Sequence, residues 1–225
     1  WNAGFHLAQF WDGRAADLVE QAKGPVLNPV EMAMPSETEV VERLSADAEY
    51  PGLFKQAFPE DPNPVSYENM AQAIAAFERT LISRDRFDDF LQGQDTALTQ
   101  AEKEGLVLFL DIGCTTCHNG PFIGANAYHK SGLVNPYEFQ KDKGRFDVTK
   151  EEDDEFKFKV PSLRNVALTH PYFHDGQVAQ LSDVVKRMGW MQLAKELTDV
   201  EVKSIVAFLN SLSGKGLVPA VPVAD

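Results

Sequence analysis

The chain has 225 residues, of which 44% are hydrophobic and 24% charged, and its formal net charge is -13. This length allows one large or two small domains with proper hydrophobic cores. A chain of this size and composition should fold without disulfides. The negative charge argues against nucleic acid and anionic membrane surfaces as partners, and it favours a protein partner with a basic face. No stretch approaches the roughly 18 consecutive apolar residues of a membrane span.

Residues 1–36 carry little helical periodicity but many specific residues. Taken alone, Trp11 is best interpreted as a packing aromatic, and Glu31, just after a proline-directed turn, as a solvated loop acid. Two short helices are predicted next, over 37–46 and 50–58, before a proline-rich break.

Ser66 is predicted to cap a strong amphipathic helix. The apolar residues of this helix recur at helical spacing, which predicts a core-facing stripe. The stripe comprises Met70, Ile74, Phe77 and Leu81. A further short helix is predicted over 84–91, with Gly93 closing it.

Two capping boxes mark the starts of the helices in the second half. Thr99 with Glu102 opens a helix expected to turn Leu106, Phe109 and Leu110 toward a core. Thr198 with Glu201 opens the last helix, whose predicted apolar face is Val202, Ile205, Val206 and Leu209. Between them, residues 119–158 should be mostly irregular and wrap a bound group, and the tail after residue 217 should be loosely ordered.

The chemistry-bearing motif is the C-x-x-C-H pentapeptide that runs from Cys114 to His118 and contains both cysteines of the chain. Two thiols at this spacing can bond to the two vinyl groups of one porphyrin, and the following imidazole can ligate its iron. Thiol redox chemistry would require a strand before the first Cys, whereas a helix is predicted there, and a zinc site would require further soft ligands. The motif therefore predicts covalent haem c with His118 as the proximal ligand.

An iron held by one histidine needs a sixth ligand or an open site. Met188 and Met191 lie in a glycine-containing stretch 70 and 73 residues beyond His118. The histidine alternatives are His129, His170 and His174. A thioether would give a higher reduction potential than a second imidazole, but spacing alone does not choose between the two methionines.

Seven motifs in a fixed order resemble those of the bacterial dihaem cytochrome c peroxidases. They are FWDGR at 10–14, QAKGP at 21–25, NPVEM at 28–32, AFERTL at 76–81, CTTCH at 114–118, FKVPSLRNV at 158–166 and PYFHDG at 171–176. The resemblance implies an all-α fold of cytochrome c-like domains with long irregular loops. In this family a calcium ion lies between two haems, and hydrogen peroxide is reduced to water.

The resemblance also implies roles for individual residues. Cys114, Cys117 and His118 would hold the high-potential haem, and Met188 would be its sixth ligand. Trp11 would lie on the electron path to a second haem. Glu31 and Gln21 would face the peroxide pocket of that haem, and His174 would lie beside the region between the haems. Thr169 and Pro171 would offer backbone carbonyls to the calcium ion.

The family's first haem-attachment motif has no counterpart in this sequence. We therefore expect residues 1–92 to be the remainder of the first, low-potential haem domain together with interdomain helices. Residues 93–225 would be the high-potential haem domain. The chain would be a piece of a longer enzyme with two haems c, one of them attached here.

The resemblance further implies a periplasmic protein and a homodimer. A small cytochrome c or a cupredoxin would supply the electrons. Two alternatives stay open at this point: a single-haem electron-transfer cytochrome, and a MauG-like enzyme that oxidises a protein side chain. The resemblance implies a tyrosine in place of the methionine ligand in the MauG branch, so Met188 argues against that alternative.

Overall fold

The computed structural model describes residues 1–217 and divides them into two compact units. The first unit comprises Trp1–Phe10 and Arg14–Ile82, and the second comprises Trp11–Gly13 and the chain from Ser83 onward. This division falls ten residues before the predicted boundary between residues 92 and 93. Within the described range, no helix is long and apolar enough to cross a membrane.

Helices dominate both units. The first unit contains α1 (Leu18–Leu27), α2 (Glu37–Ala46), α3 (Tyr50–Ala57) and α4 (Tyr67–Glu78). The second contains α5 (Arg86–Leu91), α6 (Gln100–Ile112), α7 (Phe146–Thr149), α8 (Leu181–Leu193) and α9 (Asp199–Ser211). Two short antiparallel strands, β1 (Tyr128–Lys130) and β2 (Lys157–Lys159), pair with His129 opposite Phe158. The all-α prediction is confirmed, with this small ribbon as an addition.

Helix α1 lies within residues 1–36, where the sequence shows little helical periodicity. Asp17 caps the helix by accepting hydrogen bonds from the Val19 and Glu20 amides, and its buried face is Leu18, Ala22 and Val26. This face has helical spacing. Its small alanine, and the Gly24 and Pro25 of the last turn, conceal the pattern in the sequence.

Helix α4 packs on α1 through a different face from the predicted one. The buried side chains of α4 include Tyr67, Ala71 and Ala75, whereas Phe77 of the predicted stripe is 63% exposed. Two fully buried alanines allow the backbones of the two helices to approach closely, and the Tyr67 hydroxyl donates a 2.5 Å hydrogen bond to the Lys23 carbonyl. Met70 of the predicted stripe packs, partly buried, against the core of this unit. The prediction of a core-facing stripe was therefore right only in part.

The core of the second unit forms where α6 crosses α9. Gly105 makes the close crossing possible, because a Cβ atom at this position would lie 1.9 Å from the Ser204 carbonyl oxygen. Both predicted capping boxes are present, at Thr99 and Thr198. Phe109 is buried as expected, but Leu110 is 51% exposed and faces away from the core. The last helix buries Val202, Ile205 and Leu209, as its pattern predicted.

A buried ion pair fixes the start of α5. The Asp85 carboxylate caps this helix and accepts a 2.6 Å hydrogen bond from the Arg164 guanidinium. Arg164 also donates to the Pro121 carbonyl, which lies just after the C-x-x-C-H motif. The ion pair therefore ties three distant segments of the second unit together. The tail that was predicted to be loosely ordered lies outside the described residues.

Candidate haem site

The C-x-x-C-H motif directly follows the C-terminus of α6. Gly113 ends this helix with a φ of 101°, a left-handed conformation that glycine adopts readily. A single 3-10 turn, Cys114–Thr116, follows, and the His118 amide donates a 3.0 Å hydrogen bond to the Cys114 carbonyl. This tight turn brings both thiols and the imidazole to one side of the chain.

The motif opens on an apolar cavity of about 260 Å³ within the second unit. Side chains of α6, α8, α9 and the 158–174 segment form most of its wall. Representative residues of this wall are Phe109, Leu163, Tyr172, Val185, Met188 and Ile205. The 119–158 loop contributes few wall residues, so the prediction that this loop wraps the bound group holds only in part.

His118 is poised to act as a neutral ligand. Its ring lies 6.4 Å from the Phe109 ring, and its Nδ1 is buried without a partner of standard hydrogen-bond geometry. Burial lowers the pKa of His118 to about 4, although the Ile123 backbone opposes this shift. A neutral imidazole is the form that binds iron. An apolar cavity beside two thiols and a buried neutral histidine fits haem c.

The thiols do not have the character of a redox pair. Burial raises the pKa of Cys114 to about 11 and also raises that of Cys117. Thiols of dithiol oxidoreductases have lowered pKa values, because the thiolate is the reactive form. The two cysteines are not joined in a disulfide. Their environment therefore disfavours the thiol redox alternative.

The structure distinguishes the two candidate methionines. Met188 lies on the cavity wall, whereas Met191, three residues later on α8, is absent from the wall residues and only 4% exposed. The Met191 carbonyl accepts hydrogen bonds from the Val134 and Asn135 amides. Of the histidine alternatives, His129 and His174 line the cavity and His170 does not.

Trp11 lies at the edge of the same cavity although its neighbours in sequence belong to the first unit. Its carbonyl accepts a 2.7 Å hydrogen bond from the Lys159 amide, and the next carbonyl, that of Asp12, accepts one from Arg145. Gly13 packs against Tyr128 so closely that a Cβ atom there would lie 1.8 Å from the Tyr128 hydroxyl oxygen. These contacts hold the tryptophan at the cavity edge.

His174 lies in a cluster of aromatic rings at this edge. Its ring stacks on Phe158 with 3.9 Å between centroids, and it meets Trp11 edge-on at 6.5 Å. Its Nε2 is buried and lacks a hydrogen-bond partner, and burial lowers its pKa against the opposing charge of Asp175. Asp175 also accepts a hydrogen bond from the Tyr137 hydroxyl, which fixes the loop that carries His174.

The remaining candidate residues lie either in the first unit or beside the cavity of the second unit. Glu31 and Gln21 belong to the first unit, where Glu31 is exposed and accepts a 2.7 Å hydrogen bond from the Asn28 amide group. Gln21 lies on α1 and is half-buried. Thr169 and Pro171 both border the cavity of the second unit.

Sequence reasoning gave no role to Lys159, a buried cation on the cavity wall, although a lysine within an apolar run was a visible signal.

A helical unit in which a C-x-x-C-H turn opens on an apolar cavity defines a cytochrome c-type haem domain. Residues 1–96 match the family model described as di-haem cytochrome c peroxidase. The chain is 32% identical over 238 residues to the methylamine utilization protein MauG of Methylophilus methylotrophus, covering 99% of this chain and 69% of that protein. The chain therefore belongs to the dihaem cytochrome c peroxidase and MauG family.

Two further relatives agree with this membership. Cytochrome c551 peroxidase of Pseudomonas aeruginosa is 52% identical over 220 residues, which cover 95% of this chain and 63% of that enzyme. The crystal structure of a MauG-like protein associated with microbial copper homeostasis superposes with a TM-score of 0.79 at 30% identity. That match covers 93% of this chain and 73% of the solved one. The chain thus spans less than two thirds of the length of the peroxidase that it matches.

Proposed function

We propose that this chain is the high-potential haem part, with some of the peroxide-reducing part, of a dihaem enzyme that reduces hydrogen peroxide to water. The observation that carries the proposal is the joint position of His118, Met188 and the two cysteines around one apolar cavity. The name of the Pseudomonas aeruginosa relative, a cytochrome c551 peroxidase, supports the same activity.

Cys114 and Cys117 would hold haem c through thioether bonds, with His118 and Met188 as the two iron ligands. When bound, the haem supplies a one-electron store that can be filled by a donor protein. The apolar wall excludes water from the ring, and a thioether ligand favours the reduced iron, so this site suits the acceptance of electrons. His129 and His174 are then wall residues that do not ligate the iron.

Trp11 would carry electrons from this site toward the second haem of the complete protein. The Trp11 carbonyl accepts a hydrogen bond from the Lys159 amide, and the next carbonyl, that of Asp12, accepts one from the Arg145 side chain. The Trp11 ring itself meets His174 edge-on. A fixed aromatic at a cavity edge shortens the path that an electron must cross through saturated groups. Reduction of one peroxide to two waters takes two electrons and two protons, so a route between two stores is required.

Glu31 would act as the acid and base of the reaction. A carboxylate beside peroxide can take a proton from one oxygen and return it to the leaving oxygen, which departs as water. The hydrogen bond from Asn28 orients the Glu31 carboxylate, and its exposure leaves it open to a small substrate. Gln21 would hold a hydrogen bond to the same substrate.

The other inferences from the family concern surroundings and partners. Thr169 and Pro171 would offer carbonyl oxygens to Ca²⁺, a hard cation that prefers oxygen ligands. The electron donor would be a small cytochrome c or cupredoxin, the enzyme would be a homodimer, and its location would be the periplasm. Residues 1–92 would complete the low-potential domain, and the domain from residue 93 would carry the attached haem.

The test is a pyridine haemochrome count of haem c per polypeptide on the natural full-length protein, together with peroxide reduction by a reduced donor. Two haems with turnover support the proposal. One haem without turnover would instead identify an electron-transfer cytochrome. A protein that oxidises a side chain of another protein in preference to a small donor would favour the MauG-like alternative, against which Met188 on the cavity wall argues.

A further inference from the structure

The loop that follows the C-x-x-C-H motif is bonded along its main chain to a segment about 40 residues later. The carbonyl groups of residues 121–123 all accept hydrogen bonds from residues 162–164. These bonds run from the Arg164 guanidinium to Pro121 at 2.9 Å, from the Ser162 hydroxyl to Phe122 at 2.8 Å and from the Leu163 amide to Ile123 at 3.3 Å. Three consecutive carbonyls are thus fixed by three consecutive residues.

Ile123 has an unusual backbone conformation within this loop. Its φ is 51° and its side chain is buried. A β-branched residue in the left-handed region is strained, and the surrounding structure must hold it there. The Ile123 amide donates to the Gly120 carbonyl at 3.0 Å, and the Gly124 amide donates to the Asn119 carbonyl at 2.8 Å. Together with the bonds from residues 162–164, these contacts fix both peptide units that flank Ile123.

The Ile123 main chain also acts on His118. It opposes the fall in the pKa of this histidine that burial causes. A main-chain group with this effect is a hydrogen-bond acceptor, so the Ile123 carbonyl faces the imidazole. The Nδ1 of His118 is buried without a partner of standard hydrogen-bond geometry, and this carbonyl is the acceptor available to it. The Leu163 amide does not compete, because a carbonyl oxygen can accept two hydrogen bonds.

The position of this carbonyl matters once His118 ligates haem iron. With Nδ1 turned to the Ile123 carbonyl, Nε2 is the ring nitrogen left for the metal. A metal-bound histidine usually donates its second N–H to such an acceptor, which fixes the rotation of the ring and raises the basicity of the ligand. A more basic imidazole favours the oxidised iron. The position of the acceptor therefore affects both the plane of the imidazole and the potential of the haem.

We propose that Ser162 and Arg164 are positioning residues that hold the Ile123 carbonyl toward the His118 imidazole and so set the plane of the proximal ligand. The inference rests on the proposal that haem c occupies this cavity with His118 on its iron. Ser162 acts through its hydroxyl group. Arg164 acts through its planar guanidinium, which its buried ion pair with Asp85 holds in place.

The test compares Ser162→Ala and Arg164→Lys with the matched control Ser211→Ala in the haem-loaded natural protein. The Ser211 hydroxyl also donates to a main-chain carbonyl, that of Phe208 at 2.6 Å, but Ser211 is not among the wall residues of the cavity. Arg164→Lys keeps a positive charge beside Asp85 but loses the planar fork that bonds Pro121. The readouts are the electron paramagnetic resonance g values of the oxidised haem bound to His118 and its midpoint potential.

Ser162→Ala and Arg164→Lys should both change the g values, which depend on the orientation of the axial ligands. Both should also raise the midpoint potential, because the imidazole loses part of its hydrogen bond and becomes less basic. Ser211→Ala should lower stability to a similar extent as Ser162→Ala but leave both readouts at their wild-type values. If Arg164→Lys yields no haem-loaded protein, Ser162→Ala, which removes no charge, decides the matter.

Wild-type g values and potential in haem-loaded Ser162→Ala would overturn the inference. An equal change in Ser211→Ala would overturn it as well, since the effect would then reflect general loosening of the unit. The failure of the wild-type protein to attach haem would instead contradict the proposed function itself. These results are distinguishable, because neither readout depends on peroxide reduction.

Discussion

Met188 and Met191 differ by less than one helical turn, yet only one of them lies on the cavity wall. The sequence pattern left both possible because each lies in the same glycine-containing stretch. The choice depends on the rotation of α8 about its own axis, which is set by contacts with α9 and with the loop at Val134 and Asn135. No local pattern encodes that rotation.

Replacement of Met188 by alanine should lower the midpoint potential of the haem and open a coordination site, because the thioether ligand is lost. Met191→Ala should keep the potential and the spectrum but lower the free energy of unfolding by about 2–5 kcal/mol, since it empties a buried site. Redox titration and urea unfolding of both variants provide the measurements. A fall in potential for Met191→Ala alone would reverse the ligand assignment.

Glu31→Gln tests the proposed acid and base. The amide keeps the size of the side chain but cannot take a proton, so peroxide turnover in the full-length enzyme should fall by at least about 100-fold. Both haem spectra should stay as in the wild type. Glu60→Gln, an exposed change in the same unit, serves as the control. Unchanged turnover in the Glu31 variant would remove this residue from the mechanism.

At the scale of elements, sequence reasoning found helices by their caps and by strong apolar periodicity. The boxes at Thr99 and Thr198 marked the starts of α6 and α9 because a cap is a local contact. Sequence reasoning failed where small residues form the packed face of a helix, as Ala22 does in α1 and Ala71 in α4. A buried alanine signals a close approach of two helices, which depends on a partner far away in the sequence.

The crossing of α6 and α9 depends on Gly105 in the same way. Gly105→Ala should lower the free energy of unfolding by about 1–3 kcal/mol or more, because the added methyl group would overlap the Ser204 carbonyl. Gly52→Ala in α3 is the matched control: no atom lies within 4 Å of its added Cβ. The control should raise stability by about 0.5–1 kcal/mol, since alanine favours a helix over glycine. Urea unfolding curves that coincide for both variants would contradict the close crossing.

For the molecule as a whole, the haem motif was predictable because covalent attachment needs a fixed local spacing. The cavity wall could not be predicted from the sequence. Its 158–174 segment is positioned by long-range contacts, such as that of Arg164 with Asp85. The same limit applies to Lys159, whose burial depends on the pairing of β2 with β1.

The net charge of -13 leads us to predict how salt affects association with an electron-donor protein. Long-range attraction to a basic donor protein should decay as salt shortens the Debye length from about 30 Å at 0.01 M to about 8 Å at 0.15 M. The rate of electron uptake from a basic donor by the natural protein should therefore fall as ionic strength rises. Stopped-flow mixing at several salt concentrations measures this rate, with an acidic donor as the control. A rise in rate with salt for the basic donor would contradict electrostatic attraction.

The membership of Trp11–Gly13 in the second unit has a consequence for how this architecture can be divided. The chain passes from one unit to the other three times, after Phe10, after Gly13 and after Ile82. A gene fragment that starts at Ser83 would thus lack a tripeptide to which Lys159, Arg145 and Tyr128 are fitted. The haem-binding unit therefore cannot be exchanged as one continuous segment. Recombination between relatives would preserve it only if residues 11–13 and the chain from Ser83 onward were inherited together.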